Sequence, residues 1–266
     1  MTRVLLAFLM RRHWWTCGLC VMLPVMIGSI VGVIYPTMEK ERGVIGPMLD
    51  LMRNWFPELP NFLRPEGAFV WPYMHPMTLL AYVLAPAIVA LAQPAGERGR
   101  GSLDLILATR LSRSRLVSSV FLFLVPVSIV MGLGPFLGSV IGSALCGELG
   151  AVPLGAYLLC SVEASALSLF FGSLALLVSV RSRDRGQATL VFAAITIGWF
   201  LVDVVSQMWK DAPDWVARAG PFGYYDPLGL AREQQVPLAL DLFVLLGGVA
   251  VCVGCAIWSA RRRRSA

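Results

Sequence analysis

Few residues in this 266-residue chain are suited to metal binding or catalysis. Four of its six cysteines form two C-x-x-C pairs, Cys17 with Cys20 and Cys252 with Cys255, a spacing used by zinc sites. Both pairs fall inside long apolar runs, where this spacing also places two small side chains on one helix face. An uncompensated thiolate is costly in lipid, so the sequence predicts no metal site at either pair.

Histidine is too scarce for most hydrolytic sites. The chain has only His13 and His75, both at predicted membrane borders, and it lacks an H-E-x-x-H motif. Met74, His75 and Met77 could offer soft ligands to copper, and packing at the membrane interface explains the same residues. The sequence also lacks G-x-x-x-x-G-K-[ST], so any ATP is expected to bind to another chain.

Composition places the chain in a membrane. Hydrophobic residues make up 57% and charged residues 14%, with a mean hydropathy of +0.72. A soluble fold would lack the polar surface to cover this much apolar material, and disordered chains are poor in such residues. The net charge of +6 comes from short arginine clusters between apolar runs, which indicates membrane orientation rather than nucleic-acid binding.

Six segments are long and apolar enough to cross a bilayer, which needs about 20 residues. We therefore expect an all-α integral membrane protein with one transmembrane domain over residues 1–266, and we expect Pro126 and Pro135 to kink the third span. Residues 1–13 are predicted to form an interfacial helix on the cytoplasmic face, and 43–56 an amphipathic helix in the outer loop 36–75. The predicted spans are 14–35, 76–95, 117–146, 152–180, 188–209 and 236–260.

Charge sorts the loops into two sides. Fifteen of the 22 cations fall in the N-terminus, the loops 96–116 and 181–187, and the C-terminus. The loops 36–75, 147–151 and 210–235 hold seven cations and ten acids. By the positive-inside rule both termini lie in the cytoplasm, and the expected location is the inner cell membrane. The first span is expected to stay as an anchor, since no small-x-small cleavage site closes it.

The cytoplasmic stretch 97–113 reads ERGRGSLDLILATRLSR. Gly101 allows a turn after the second span, Ser102 can cap a short helix, and Asp104 favours its positive end. One face of this helix, at i, i+3, i+4 and i+7 spacing, carries Leu103, Ile106, Leu107 and Arg110. Such a face suits docking in a partner's groove, and a helix lying in the headgroups fits the pattern equally well.

This stretch resembles the E-x-x-x-G-[ST]-L-[ED]-L-L-L-[AST]-T-P-[VL]-S-R signature of ABC-2 type permeases, the membrane subunits of ABC exporters. Arg110 stands where that family usually has proline. Residues 220–227, GPFGYYDP, are similar to the S-P-F-x-Y-Y-D-P sequence before the last span of some of these permeases. The basic ending 261–264 is also common there, and the resemblance covers the whole six-span layout.

The resemblance implies a partner that supplies the energy. In such permeases the loop after the second span carries a coupling helix that contacts a separate nucleotide-binding subunit, which holds ATP and Mg and hydrolyses the ATP. The chain itself is then not an enzyme and needs no cofactor or metal. Residues 181–185 would make a secondary contact, or would serve only as positive-inside anchors. The implied coupling residues are Glu97, Arg98, Gly101, Ser102, Leu103, Asp104, Ile106, Leu107, Arg110 and Arg113.

Two further groups of residues are candidates for the path itself. Phe222, Tyr224 and Tyr225 in the outer loop 210–235 would form an extracellular gate, as in similar exporters, or would anchor the loop in the headgroups. Glu163 lies inside the fourth span, where a carboxylate is expensive and suggests a function. We expect it to face a dimer interface or a polar cavity and to contact a cationic or polar substrate.

The resemblance implies a permease that pairs with a second copy or a paralogue and exports a hydrophobic or amphipathic compound, such as a drug, antibiotic, peptide or lipid. The resemblance implies a path near spans two and five that switches from inward-facing to outward-facing when ATP closes the motor. One alternative is export for copper or metalloenzyme assembly, using Met74, His75 and the cysteines. An ATP-independent channel or scaffold and an intramembrane enzyme are the others, and the scarcity of histidine argues against the enzyme. Membrane lipid is an expected partner, and nucleic acid is not.

Overall fold

The computed structural model describes residues 2–52, 65–101, 112–147, 154–209, 213–232 and 237–262, and within these ranges it contains helices and no β-strand. The long helices are α1 (Thr2–Lys40), α5 (Pro76–Ala92), α7 (Arg113–Leu145), α8 (Leu154–Arg181), α9 (Arg185–Met208) and α12 (Leu238–Arg262). The short ones are α2 (Arg42–Met52), α3 (Pro65–Ala68), α4 (Trp71–Met74), α6 (Pro94–Gly99), α10 (Asp214–Ala217), a 3-10 helix (Pro221–Tyr224) and α11 (Pro227–Ala231).

Six stretches of helix are long and apolar enough to cross a membrane, which confirms the predicted all-α membrane fold. They are α1, α5 together with α6, α7, α8, α9 and α12, in the order predicted for spans one to six. The predicted amphipathic helix at 43–56 corresponds to α2 up to Met52, and residues 53–64 lie outside the described ranges.

The helix that contains the first predicted span extends beyond it at both ends, since α1 runs unbroken from Thr2 to Lys40. Residues before 14 are therefore continuous with the span instead of forming a separate helix. The helix also continues past Pro36 to its last turn at Lys40. The placement of its first turns along the membrane surface stays a prediction.

Prolines interrupt the second span but not the third. At the end of α5 the backbone of Gln93 leaves the helical region (φ −87°, ψ −89°), and α6 begins with Pro94. Proline fits the first helical turn, where its missing N–H costs nothing. In contrast, α7 continues as one helix through Pro126 and Pro135.

The second and fourth spans form the centre of the bundle. In their most apolar stretches, 78% of the residues of α5–α6 and 72% of those of α8 are buried within the chain. The corresponding share in α9 is 11%, with only Ala188 and Phe192 of that helix buried. Helix α8 packs against α5, α7 and α12, so the fifth span lies at the edge of the described bundle.

Helices α1 and α7 pack through small residues. Gly28 and Gly32 of α1 face Gly138 and Gly142 of α7, and the members of each pair are four residues apart. A side chain would not fit here: a Cβ added at Gly32 would lie 2.7 Å from the backbone nitrogen of Ser143. Membrane helices commonly use such small-xxx-small patterns to bring their backbones together.

Contacts at the two ends of the bundle confirm how the sequence groups the loops. At one end Arg12 pairs with Glu97, and the Arg181 side chain donates to Ser259 Oγ at 3.4 Å. At the other end the ring of Tyr35 contacts that of Phe69, with the centroids 5.1 Å apart and the ring planes tilted by 49°. The segments predicted to share a side therefore meet, and the positive-inside rule assigns the arginine-rich end to the cytoplasm.

Candidate functional site

An apolar cavity of about 360 Å³ lies between α5 and α9, in the half of the bundle that faces away from the arginine-rich end. Several of its lining side chains are also exposed at the side of the chain, among them Leu80 (50%) and Ile197 (56%). The cavity therefore opens laterally, on the face where the fifth span is uncovered. It is lined by Pro76, Met77, Leu79, Leu80, Val83, Thr196, Ile197, Phe200 and Phe222.

Phe222 from the loop after the fifth span contributes to the lining of the cavity. This residue belongs to the 3-10 helix Pro221–Tyr224, which begins with proline after an extended Gly220. Its ring is buried and lies with its centroid 5.2 Å from that of Phe171 in α8 and 5.9 Å from that of Phe200 in α9. Aromatic rings at these distances attract each other beyond simple burial. Phe222 thus connects the outer loop to two spans.

Thr196 is the one residue of the cavity lining that carries a hydroxyl group. Its Oγ1 is buried and has no hydrogen-bond partner in the described part of the chain. Threonine in a helix usually bonds to a carbonyl one turn earlier, as Thr189 does with Arg185 at 2.8 Å. Because this oxygen is buried, the surface of the cavity is apolar and suits apolar molecules.

Tyr225 points away from the cavity and anchors the outer loop. Its hydroxyl donates to the Tyr73 carbonyl at 3.1 Å, and the Tyr73 hydroxyl donates to the Tyr157 carbonyl at 3.0 Å. Tyr73 Oη also lies 2.8 Å from Ser161 Oγ. Tyr224 is half-buried against the core. Of the three predicted gate residues, only Phe222 lines the cavity.

Glu163 lies completely buried in α8, behind the same outer loop. Its Oε1 accepts the backbone N–H of Asp226 at 3.2 Å, and its Oε2 has no hydrogen-bond partner among the described residues. One turn earlier, Cys160 Sγ donates to the Pro227 carbonyl at 3.4 Å. Because it is buried inside the chain, Glu163 does not face a surface on which a second copy could pack. It is also not among the residues that line the apolar cavity, and a contact with substrate stays a prediction.

Two substitutions of Glu163 distinguish the contribution of its hydrogen bond from that of its charge. We expect Glu163→Gln to fold with nearly wild-type stability, since an amide oxygen can still accept the Asp226 N–H. Glu163→Ala should lower the free energy of unfolding by about 1–3 kcal/mol, because the acceptor is lost and a buried gap remains. Reversible unfolding in mixed detergent micelles measures both, with Glu39→Ala at an exposed position as the control. Equal losses for the Gln and Ala variants would contradict the anchoring role.

At the arginine-rich end of the bundle, a buried acid lies between two arginines. Glu97 Oε1 lies 2.5 Å from Arg12 Nη1 and 3.2 Å from Arg100 Nη2, and its side chain is 6% exposed. Beside this group, Gln93 Nε2 lies 3.1 Å from His13 Nε2. Glu97 therefore holds the end of the second span against α1, and its contact with a partner stays a prediction.

Two contacts fix this end of the second span to the turn between α8 and α9. Arg98 Nη1 donates to the Ser182 carbonyl, and the Ala95 backbone N–H donates to Ser179 Oγ at 3.1 Å. Residues 182–184 form a tight turn, and Asp184 caps α9 by accepting from Gln187 N at 3.0 Å. The two segments predicted to face the partner, 97–113 and 181–185, therefore begin at the same packed contact. We call this contact the platform; it consists of Ala95, Glu97, Arg98, Ser179 and Ser182.

The structure covers four of the ten predicted coupling residues. Glu97 and Arg98 lie in the platform, Gly101 adopts a left-handed turn (φ +72°), and Arg113 begins α7. The other six, Ser102, Leu103, Asp104, Ile106, Leu107 and Arg110, lie outside the described residues. Their assignment stays a prediction.

One of the candidate copper ligands, His75, has a local structural role. His75 Nδ1 accepts the Met77 backbone N–H at 3.2 Å and so caps α5. Within the described ranges, no group of three or more His, Cys, Asp or Glu residues is placed to hold a metal ion.

Several of these functional features escaped sequence reasoning. Thr196 and Ile197 carry no motif, and only the packing of α9 beside α5 makes them cavity residues. Arg12 reads from the sequence as one of many topology-setting arginines, whereas it pairs with an acid 85 positions away. The close packing of α1 against α7 does have a signal in the sequence, namely the four-residue spacing of glycines in each helix.

Comparison with known families decides the class of protein. The family described as multidrug efflux system permease Rv1217c, C-terminal domain, matches residues 6–259. The chain belongs to this family. A comparison with curated proteins finds no significant match. The match reaches all six spans, so this permease is a membrane transport protein.

Proposed function

We propose that this permease exports apolar or amphipathic compounds as the membrane subunit of an ABC-2 type exporter. The observation that carries the proposal is the apolar cavity between α5 and α9, which opens at the side of the chain and is lined in part by Phe222. The description of its family as a multidrug efflux permease supports the same class of substrate. The cavity lining offers apolar surface, and this suits varied hydrophobic molecules.

A second copy of the chain completes the path in this proposal. Helix α9 exposes most of its length, and the cavity opens on the same face. Two such faces brought together around a two-fold axis would enclose both cavities between the subunits. The substrate would then enter between the copies and leave when Phe222 moves away from the cavity.

A separate ATPase subunit supplies the energy. In this proposal it docks on the loop 97–113 and on the turn at 181–185, and it carries ATP and Mg. The packed contacts among Glu97, Arg12 and Arg98 would transmit its movement to α1 and to the start of α9. Because His75 is used to cap α5, the geometry favours organic compounds over copper as the cargo.

Filling the cavity tests the proposed path. We expect Ile197→Trp to reduce export of a hydrophobic fluorescent dye at least about tenfold, because the indole occupies space that the substrate needs. Leu246→Trp, on the exposed face of α12 at 47% exposure, is the matched control and should export normally. Dye efflux from cells with equal amounts of each variant in the membrane gives the readout. Normal efflux by Ile197→Trp would contradict the path.

A further inference from the structure

Helix α9 carries a single acid, Asp203, near its outer end. This residue lies less than two turns before Met208, the last residue of the helix. Trp209, which follows, is exposed, and tryptophan is typical of the layer where lipid headgroups meet the acyl chains. Asp203 therefore lies just inside the apolar part of the membrane, where a carboxylate without an opposite charge is costly.

Asp203 continues the side of α9 that lines the apolar cavity. Thr196 and Phe200 of this helix belong to the cavity lining. At about 100° per residue, Asp203 is about 20° around the helix axis from Thr196 and about 60° from Phe200. It is also one turn closer to the outer end, since three residues add about 4.5 Å along the axis. The acid thus lies at the outer margin of the cavity.

The outer loop packs against α9 directly below this acid. A Cβ added at Gly220 would lie 3.2 Å from the ring of Trp199, which is one turn before Asp203. The ring centroid of Phe222 lies 5.9 Å from that of Phe200. In the proposed export path a molecule moves outward past Phe222, and Asp203 lies on that side of the cavity.

No charged side chain pairs with Asp203 in the described part of the chain. Its carboxylate Oδ2 accepts a hydrogen bond from Gln207 Nε2 at 2.8 Å, and this neutral partner is exposed. The described residues that line the cavity also carry no charge. The negative charge of Asp203 therefore favours a positive charge beside it, and a ligand with a cationic group would supply one.

We propose that Asp203 binds the positively charged group of amphiphilic substrates whose apolar body occupies the cavity. The apolar lining contacts the body, and aromatic rings such as those of Phe200 and Phe222 also attract cations. A mostly apolar pocket with one placed polar group is the usual design of a site for small molecules. The inference rests on the proposed function and narrows its substrates to amphiphilic cations.

The test uses the purified permease in detergent and two dyes of nearly equal shape. One is a styrylpyridinium dye with a permanent positive charge, and the other is its uncharged styrylpyridine parent, kept unprotonated in mildly alkaline buffer. Fluorescence titration gives the Kd of each dye. We expect Asp203→Asn to weaken binding of the charged dye about tenfold, as for the loss of one partly buried ion pair. Binding of the uncharged dye should change less than about twofold.

The variants separate a local charge effect from misfolding. Asparagine keeps the shape of Asp203 and an oxygen that can accept from Gln207, and unchanged binding of the uncharged dye reports an intact cavity. Asp203→Glu keeps the charge and should retain most of the affinity for the charged dye. The matched control is Glu39→Gln, which removes one negative charge from an exposed position at the same end of the bundle and should bind both dyes like the wild type.

The outcomes distinguish this inference from the proposed function. Equal weakening of the charged dye by Asp203→Asn and Glu39→Gln, or no weakening by Asp203→Asn, would overturn the role of Asp203. Binding of the uncharged dye would then still support the cavity. Ile197→Trp should weaken both dyes, because it fills the space that their apolar bodies need. If both dyes bound normally to Ile197→Trp, the proposed path would be wrong, and the role of Asp203 with it.

Discussion

Gly32→Ala is expected to destabilise the permease by about 2 kcal/mol or more. The added Cβ would lie 2.7 Å from Ser143 N and 2.8 Å from Ser139 O, and both atoms belong to the backbone of α7. Real Cβ atoms do not approach so closely, and a backbone cannot rotate away as a side chain can. The two helices must therefore separate, at the cost typical of overpacking. Reversible unfolding in mixed detergent micelles, followed by circular dichroism, measures the loss.

The same helix provides the control for this change. A Cβ at Gly18 would meet no atom within 4 Å in the described structure. Gly18→Ala should leave the free energy of unfolding unchanged or raise it by up to about 1 kcal/mol, since alanine favours the helix. If Gly32→Ala were as stable as Gly18→Ala, the close packing of α1 against α7 would be wrong.

Leu103→Asp combined with Ile106→Asp is expected to abolish ATP-driven export while the permease still folds. On the sequence-predicted helix these residues share the face that would enter a groove of the ATPase subunit. Two charges placed in such an apolar contact should weaken association at least about a hundredfold. The fold should survive, since the bundle contacts at Glu97 and Arg98 lie before this segment. The measurements are co-purification of the ATPase and dye efflux.

Leu105→Asp combined with Thr109→Asp gives the matched control, because these positions lie on the opposite face of the same predicted helix. This variant carries the same added charge and should keep both the partner and export. Loss of export by both double variants would favour a helix embedded in the headgroups over one docked to a partner. Normal export by the first variant would contradict the coupling role.

The membrane helices were predictable because their signal is local. Each span needs a run of apolar residues, and arginine clusters such as 98–100 and 181–185 mark the same side independently. The structure confirms six spans and the grouping of the loops. The prediction ended α1 too early, because the run 36–40 is too polar to read as part of a span even though the helix continues through it.

The candidate site was less predictable, since it depends on which faces of the helices meet. Helix α8 carries apolar and small residues on all sides, so periodicity could not show that Glu163 points into the chain. Gly28 and Gly32 were readable as a close-packing signal, but their partner helix was not. Phe222 was predicted as a gate from a resemblance; the structure shows that it lines the cavity, and its role as a gate stays a prediction. Glu97 was predicted to contact a partner, and the structure adds its ion pair with Arg12, which no local pattern could show.

ATP dependence of transport tests the central claim of an export permease powered by another chain. The permease and its co-purified ATPase subunit are placed in proteoliposomes, and accumulation of a hydrophobic dye is followed with and without ATP and Mg. The account predicts ATP-dependent accumulation by the pair, none by the permease alone, and none when the lysine of the partner's phosphate-binding loop is replaced. Equal dye movement by the permease alone, without ATP, would contradict it.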